Sequence, residues 1–292
     1  MLLRVYLPSR AAVGVLGPVL DAAATAGHAL QILTDPNPKD PIVSADVATW
    51  LTWRWRGTPD AILGLAGDPR ATWGVPSWWD NIFERPVPGQ TVGYLSAWHR
   101  DQHAAAFPDC RGWIQQQPVV GWTLADHRAL LPAIREPRWR TVLFSLKRRI
   151  PEPWRRSLRG RRWYWERVRA WARWAAPDRL LIKTRAKHGD PWWLPWYGEV
   201  VPTQTAYPST SLRVLSTACV VGHFTSGAAL EARLFPHLEG RVINEAVPLT
   251  HLAHLPGVEA TYRHMFEDPL DRVITYNDAA TGQRILDCLT RP

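Results

Sequence analysis

A chain of 292 residues with 46% hydrophobic and 21% charged residues has the composition of a folded protein large enough for two ordinary domains, and disorder is excluded as its default. No run of about 18 apolar residues occurs, and the opening Met1-Leu-Leu-Arg-Val-Tyr-Leu-Pro8 lacks a charged stretch before a long apolar core. Neither a membrane span nor a signal peptide is expected, and the expected location is cytoplasmic. The net charge of +9 is concentrated: fourteen Lys/Arg and three Glu between Arg135 and Trp174 give +11, which leaves the rest of the chain at −2.

The first elements follow from apolar runs and their punctuation. Leu2 to Leu7 reads as a strand, Val15 to Ala26 as a helix stopped by Gly27-His28, and Ala29 to Leu33 as a second strand. This is a βαβ opening. Gly14 and Gly17 fit either a turn that brings a helix close to its neighbour or a loop near a ligand, and the packing role is favoured. A helix over Ala45 to Arg56 and a strand over Ala61 to Leu65 follow. Pro69 to Gly89, with Trp73, Trp78 and Trp79, reads as a long loop.

Thr91 to Ala97 reads as the next strand, and it runs into Trp98-His99-Arg100-Asp101. His99 and His103 are four apart, as helical zinc ligands can be, but Arg100 stands where an HExxH motif needs Glu. Cys110, Cys219 and Cys288 are odd in number and form no CxxC pair, so neither a disulfide framework nor a zinc site is expected and the three read as buried fillers. Pro132 and Pro137 mark a domain boundary after Pro118-Val-Val-Gly-Trp-Thr-Leu-Ala-Asp126. The division expected is 1–137 and 138–292.

Thr141 to Leu146 opens the second domain as a strand, and the basic arm 147–174 follows. Its second half places Arg162, Glu166, Arg169 and Arg173 on one helical face and Tyr164, Val168, Trp171 and Ala175 on the other. Arg155, Arg156, Arg159, Arg161, Arg162 and Trp163 are the candidates for contact with a polyanion, although a solvated helix face is the plainer reading.

Leu180 to Thr184 and Cys219 to His223 are short apolar runs of the kind that form buried parallel strands. Ligands of open α/β sheets bind beyond the carboxyl ends of such strands. That rule makes Lys183, Arg185, Lys187 and His188 after the first run, and Thr225, Ser226 and Gly227 at the helix start after the second, the candidate anion site. Arg241 to Asn244 is a further strand, and Val258 to Phe266 and Ala279 to Leu289 are closing helices.

The tracts Lys183-Thr-Arg-Ala-Lys-His188, Tyr207-Pro-Ser-Thr-Ser-Leu212 and Phe224-Thr-Ser-Gly-Ala-Ala-Leu-Glu-Ala232 resemble the C-terminal half of GT-B glycosyltransferases. Within them the likeness is to CDP-glycerol glycerophosphotransferases and related capsule and teichoic-acid enzymes. It implies an α/β, GT-B-like fold of two Rossmann-like domains, with parallel sheets facing across a cleft that holds the active site. By motif position Ser226 holds the donor diphosphate and Glu231 meets the ribose, with Ser209 beside them. Trp98-His99 is similar to the Trp-His-Gly turn whose histidine is the base in that family, with Asp101 and Asp80 as substitutes for His99.

The implied activity is an inverting, metal-independent glycosyltransferase that takes a nucleotide-sugar as donor substrate and needs no cofactor. The arm points to a polyanionic acceptor. A modified base in duplex DNA stands slightly ahead of an envelope glycan at an anionic membrane surface. A non-catalytic nucleic-acid-binding protein that retains the fold is the reading from a different class.

Overall fold

The computed structural model describes residues 1–34, 47, 50, 58–76, 84–131, 140–144, 157–175, 179–184, 191–202, 204–224, 227–245 and 267–290. The chain forms two compact units. The first comprises Met1–Leu130, Ala206–Pro208 and Asp268–Pro292, the second Leu131–Thr205 and Ser209–Glu267. Two later segments, Ala206–Pro208 and Asp268–Pro292, thus belong with the first unit.

The first unit holds strands β1 (Leu2–Leu7), β2 (Ala29–Thr34), β3 (Ala61–Leu65), β4 (Trp73–Val75) and β5 (Thr91–Val92). They lie in the order β2-β1-β3-β4-β5, with every neighbouring pair parallel. Helix α1 (Arg10–Thr25) begins at Ser9, whose hydroxyl accepts the Ala12 N–H at 3.4 Å. It is buried along most of its length against Leu3, Val5 and Leu7 of β1 and Leu63 of β3.

Helices α2 (Ala97–Ala106), α3 (Arg111–Gln115) and α4 (Thr123–Asp126) follow in this unit. The expected strand over Thr91 to Ala97 is shorter. It ends at Val92, Tyr94 bridges to Val119, and Ser96 caps α2 by accepting the His99 N–H at 3.1 Å. The expected loop 69–89 also contains β4, since Trp73 and Val75 are buried against the core.

In the second unit the strands are β6 (Arg140–Phe144), β7 (Leu180–Lys183), β8 (Glu199–Val201), β9 (Ala218–His223) and β10 (Val242–Asn244). Their order is β10-β9-β6-β7-β8, again parallel throughout. Helix α5 (Leu158–Ala175) lays Tyr164, Val168 and Trp171 on Leu143, Leu180 and Ile182, while Arg162, Glu166, Arg169 and Arg173 are exposed, so both faces are those expected. Gly222 is required here, because a Cβ would enter the Trp171 ring.

Helices α6 (Thr210–Ser216) and α7 (Ala228–Arg233) also belong to this unit. Asp268 returns the chain to the first unit for α8 (Leu270–Val273) and α9 (Thr281–Thr290). Ile285 and Leu286 of α9 join the core around α1. The three cysteines are half-buried rather than buried. No described helix is long and apolar enough to cross a membrane.

Candidate functional site

In the second unit the chain winds from β6 through β7 to β8 in one direction and from β9 to β10 in the other. The order therefore reverses between β6 and β9. In doubly wound sheets the crevice beyond the carboxyl ends at such a reversal is where ligands bind. Register pairs Phe144 with both Lys183 and His223, and His223 with Asn244, so these four residues form one row at that edge. Leu143, Ile182 and Val220 face α5. By the alternation of a strand, Phe144, Lys183 and His223 face the other way.

Lys183 is only 3% exposed, and its ammonium donates to the Thr184 carbonyl at 2.7 Å. His223 is as deeply placed, and burial pushes its pKa down to about 4, so it is a neutral imidazole at pH 7. Its carbonyl accepts the Glu245 N–H at 2.7 Å. The Glu245 carboxylate in turn accepts the Trp171 indole N–H at 2.7 Å and pairs with Arg167 at 3.5 Å. Neither His223 nor the Trp171–Glu245 pair was singled out from sequence. For His223 the signal was available, as the polar residue that ends an apolar run.

Of the remaining donor candidates, Gly227 stands at the N-cap of α7 and Glu231 is buried in its first turn. This helix has six residues, so its dipole is short. Ser209 caps α6, with its Oγ accepting the Ser211 N–H at 3.2 Å. Next to it the Thr210 hydroxyl accepts the N–H groups of Gln204 and Thr205 at 3.0 and 2.9 Å and fixes the approach to that helix. Arg185, Lys187, His188, Thr225 and Ser226 lie outside the described residues.

The candidate base sits in the first unit, beyond the ends of β3 to β5. His99 is in the first turn of α2 rather than in a loop, 3% exposed and edge-on to Tyr94 with ring centroids 5.5 Å apart. With His103, Tyr94, Gly67 and Gln90 it lines a recess that leaves about 20 Å³ to the centre of a water molecule, room for one or two waters. Arg100, which replaces the motif glycine, donates to the Gln117 carbonyl at 3.1 Å. Asp101 is exposed on the same helix, and Asp80 lies outside the described residues.

His103 is fixed at both nitrogens. Nε2–H donates to the Glu84 carbonyl at 2.8 Å, which leaves Nδ1 to accept the Tyr94 hydroxyl at 2.6 Å. Burial lowers the His103 pKa and raises that of Tyr94, so both are neutral. The one ring lone pair that a metal could use, on Nδ1, is thereby committed to the Tyr94 proton. Among the described residues no three His, Cys, Asp or Glu come together as a metal group.

On the arm, Arg159, Arg161 and Arg162 are exposed, whereas Trp163 packs edge-on to Phe224 at 5.8 Å with Arg167 over its ring. Arg155 and Arg156 lie outside the described residues. On the arm Trp174 is 61% exposed, edge-on to Trp171 at 5.5 Å, and further exposed indoles lie outside it. Trp192 and Trp196 are 75% and 67% exposed on the turn before β8.

No family model and no curated protein matches the sequence. Among solved structures, an enzyme described as a UDP-N-acetylglucosamine 2-epimerase from Listeria monocytogenes is similar over 99% of this chain and 95% of its own, at 10% identity and a TM-score of 0.51. The glycosyltransferase SnogD from Streptomyces nogalater covers 99% of both chains at 11% identity, with a TM-score of 0.39. The spinosyn rhamnosyltransferase SpnG, complexed with thymidine diphosphate, covers 99% of this chain and 96% of its own at 14% identity, with a TM-score of 0.35. The first of these shows a shared fold, and the two lower scores carry no further argument. The fold class is α/β with two parallel five-stranded sheets, the GT-B-like class that the motifs imply.

Proposed function

We propose that the chain is a glycosyltransferase that uses a nucleoside-diphosphate sugar, with the diphosphate at the carboxyl edge of β6, β7 and β9. One observation carries this reading: the strand order reverses between β6 and β9, next to Lys183 and the segment leading to Gly227. Fold by itself would not suffice. Lys183, Arg185, Lys187 and the Ser226-Gly227 turn neutralise the leaving diphosphate, in the place that a divalent cation would take. Glu231 and Ser209 complete the donor set by motif position.

The acceptor oxygen attacks the anomeric carbon as its bond to the diphosphate breaks, in one step, so the configuration inverts. The acceptor proton passes to a base, for which His99, Asp101 and Asp80 are the candidates. Of the two polyanionic acceptors that the arm suggests, hydroxymethylated DNA and an envelope glycan, the exposed indoles at 192 and 196 favour the envelope side.

The test is a binding screen by thermal shift with UDP, TDP, CDP and GDP and their sugars. UDP-N-acetylglucosamine heads the panel because the first structural match is named for it. A nucleotide diphosphate that binds raises the midpoint by mass action. Release of that nucleotide from its sugar, dependent on an added acceptor, establishes transfer. A panel without a single binder defeats the reading.

A further inference from the structure

Leu158, Arg161, Arg162, Trp165 and Arg169 recur at three- and four-residue spacings along one flank of α5. The turn Leu194–Trp196 is fastened to that flank. The Trp165 indole N–H donates to the Tyr197 hydroxyl at 2.9 Å, and Trp193 packs against Tyr164 with ring centroids 5.9 Å apart. On the turn, Trp192 and Trp196 meet edge to face at 4.7 Å, both exposed. Leu158, at the start of the flank, is 83% exposed. Arg161, Arg162 and Arg169 are exposed beside these apolar groups, and the Arg169 guanidinium lies 5.1 Å over the Trp165 ring.

We propose that this face is a docking surface for an anionic lipid bilayer. The two indoles enter the headgroup layer, where amphipathic rings are most at home, and the arginines meet lipid phosphates. Charge complementarity selects the partner, since α5 carries six arginines against one glutamate. Nucleic acid would satisfy the arginines but not the rest. Base stacking needs separate ring faces along a groove, whereas these indoles pack on each other, and Leu158 finds no counterpart on a phosphate backbone. The proposal stands whether or not the sheet edge holds a nucleotide sugar.

The full chain is sedimented with vesicles of pure phosphatidylcholine and with vesicles containing phosphatidylglycerol, at low and high salt. Binding is expected only to the anionic vesicles, weakening with salt. Trp192→Ser with Trp196→Ser should lower the partition at least tenfold without changing nucleotide binding, and Arg161→Gln with Arg169→Gln should remove most of the salt dependence. If the wild-type chain ignores anionic vesicles at low salt, the proposal is overturned, and that outcome needs no variant to fold. It is equally overturned if both double variants keep wild-type partition, or if the arginine pair abolishes binding to DNA while vesicle binding is unaffected.

Discussion

His127 and His223 are both held neutral by burial, each with its pKa pushed down to about 4. His127 partly offsets that cost by donating from Nε2 to the Gly14 carbonyl at 2.7 Å. The unfolded chain takes up these protons near pH 6.5 and the folded chain only near 4, so between those values the unfolded state binds more protons. Stability should be complete above about pH 6.5 and fall as the pH drops towards 4, by roughly 1.4 kcal/mol per pH unit for each histidine. Asp126 acts in the opposite sense, because burial raises its pKa and its contribution declines as pH rises through that value. Urea unfolding at pH 5 and pH 7 measures the slope, and His223→Gln should remove the share that belongs to the second unit. Lys183 makes a different prediction. Lys183→Met keeps the stem and deletes a buried charge, so the fold should be preserved while nucleotide-diphosphate affinity drops by about 1.5–3 kcal/mol, the value of a charged hydrogen bond. Equal affinity by calorimetry would take Lys183 out of the donor site.

Gly14 and Gly17 lie inside α1, not in a loop before it, and their lack of side chains is used for packing. A Cβ on Gly17 would stand 2.7 Å from the Tyr207 ring, and one on Gly14 would stand 2.8 Å from the Ala206 carbonyl oxygen. Tyr207 then reaches Asp21 with its hydroxyl at 2.6 Å, and Asp21 also accepts the Trp50 indole N–H at 2.7 Å. Gly282 does the same for α9, where a Cβ would enter Pro18 of α1. Gly17→Ala and Gly282→Ala should each cost about 1–3 kcal/mol by overpacking, read as a lower urea midpoint with little change in slope. An unchanged midpoint for either would mean that the helix can shift to make room. The packing role of the two glycines was readable from sequence, but their partner was not, because Tyr207 is about 190 residues away in the chain. Strands β1, β6, β7 and β9 were legible as apolar runs bounded by polar residues. Helix α2 was not, since the residues it buries are His99, His103 and Ala104, and two histidines do not register as an apolar face. Strand β4 was lost in a Trp- and Gly-rich stretch because three residues are too few to show alternation.

The candidate donor edge was legible for a topological reason: strand ends can be read from a sequence, and the carboxyl end is where a parallel sheet exposes its loops. The row Phe144, Lys183, His223 and Asn244 could not be read, because it depends on strand order and register. Ligand binding at that row has a consequence for how stability is distributed along the chain. The two units have separate cores, one around α1 and β1 and the other around α5, β6 and β7. A ligand that binds only the folded form adds stability of about 2.7 kcal/mol at a hundred times its dissociation constant, and it adds it to the structure it touches. Hydrogen exchange with and without a saturating nucleotide diphosphate should therefore show slower exchange at the amides of β6, β7 and β9, among them the Thr184 N–H that bonds the Val201 carbonyl at 3.1 Å. The amides of β1 and β2 should exchange as before. Protection that appears instead around Ser9 and Gly67, where β1 and β3 end in the first sheet, would move the nucleotide to the other point at which strand order reverses and leave the second unit without its assigned ligand.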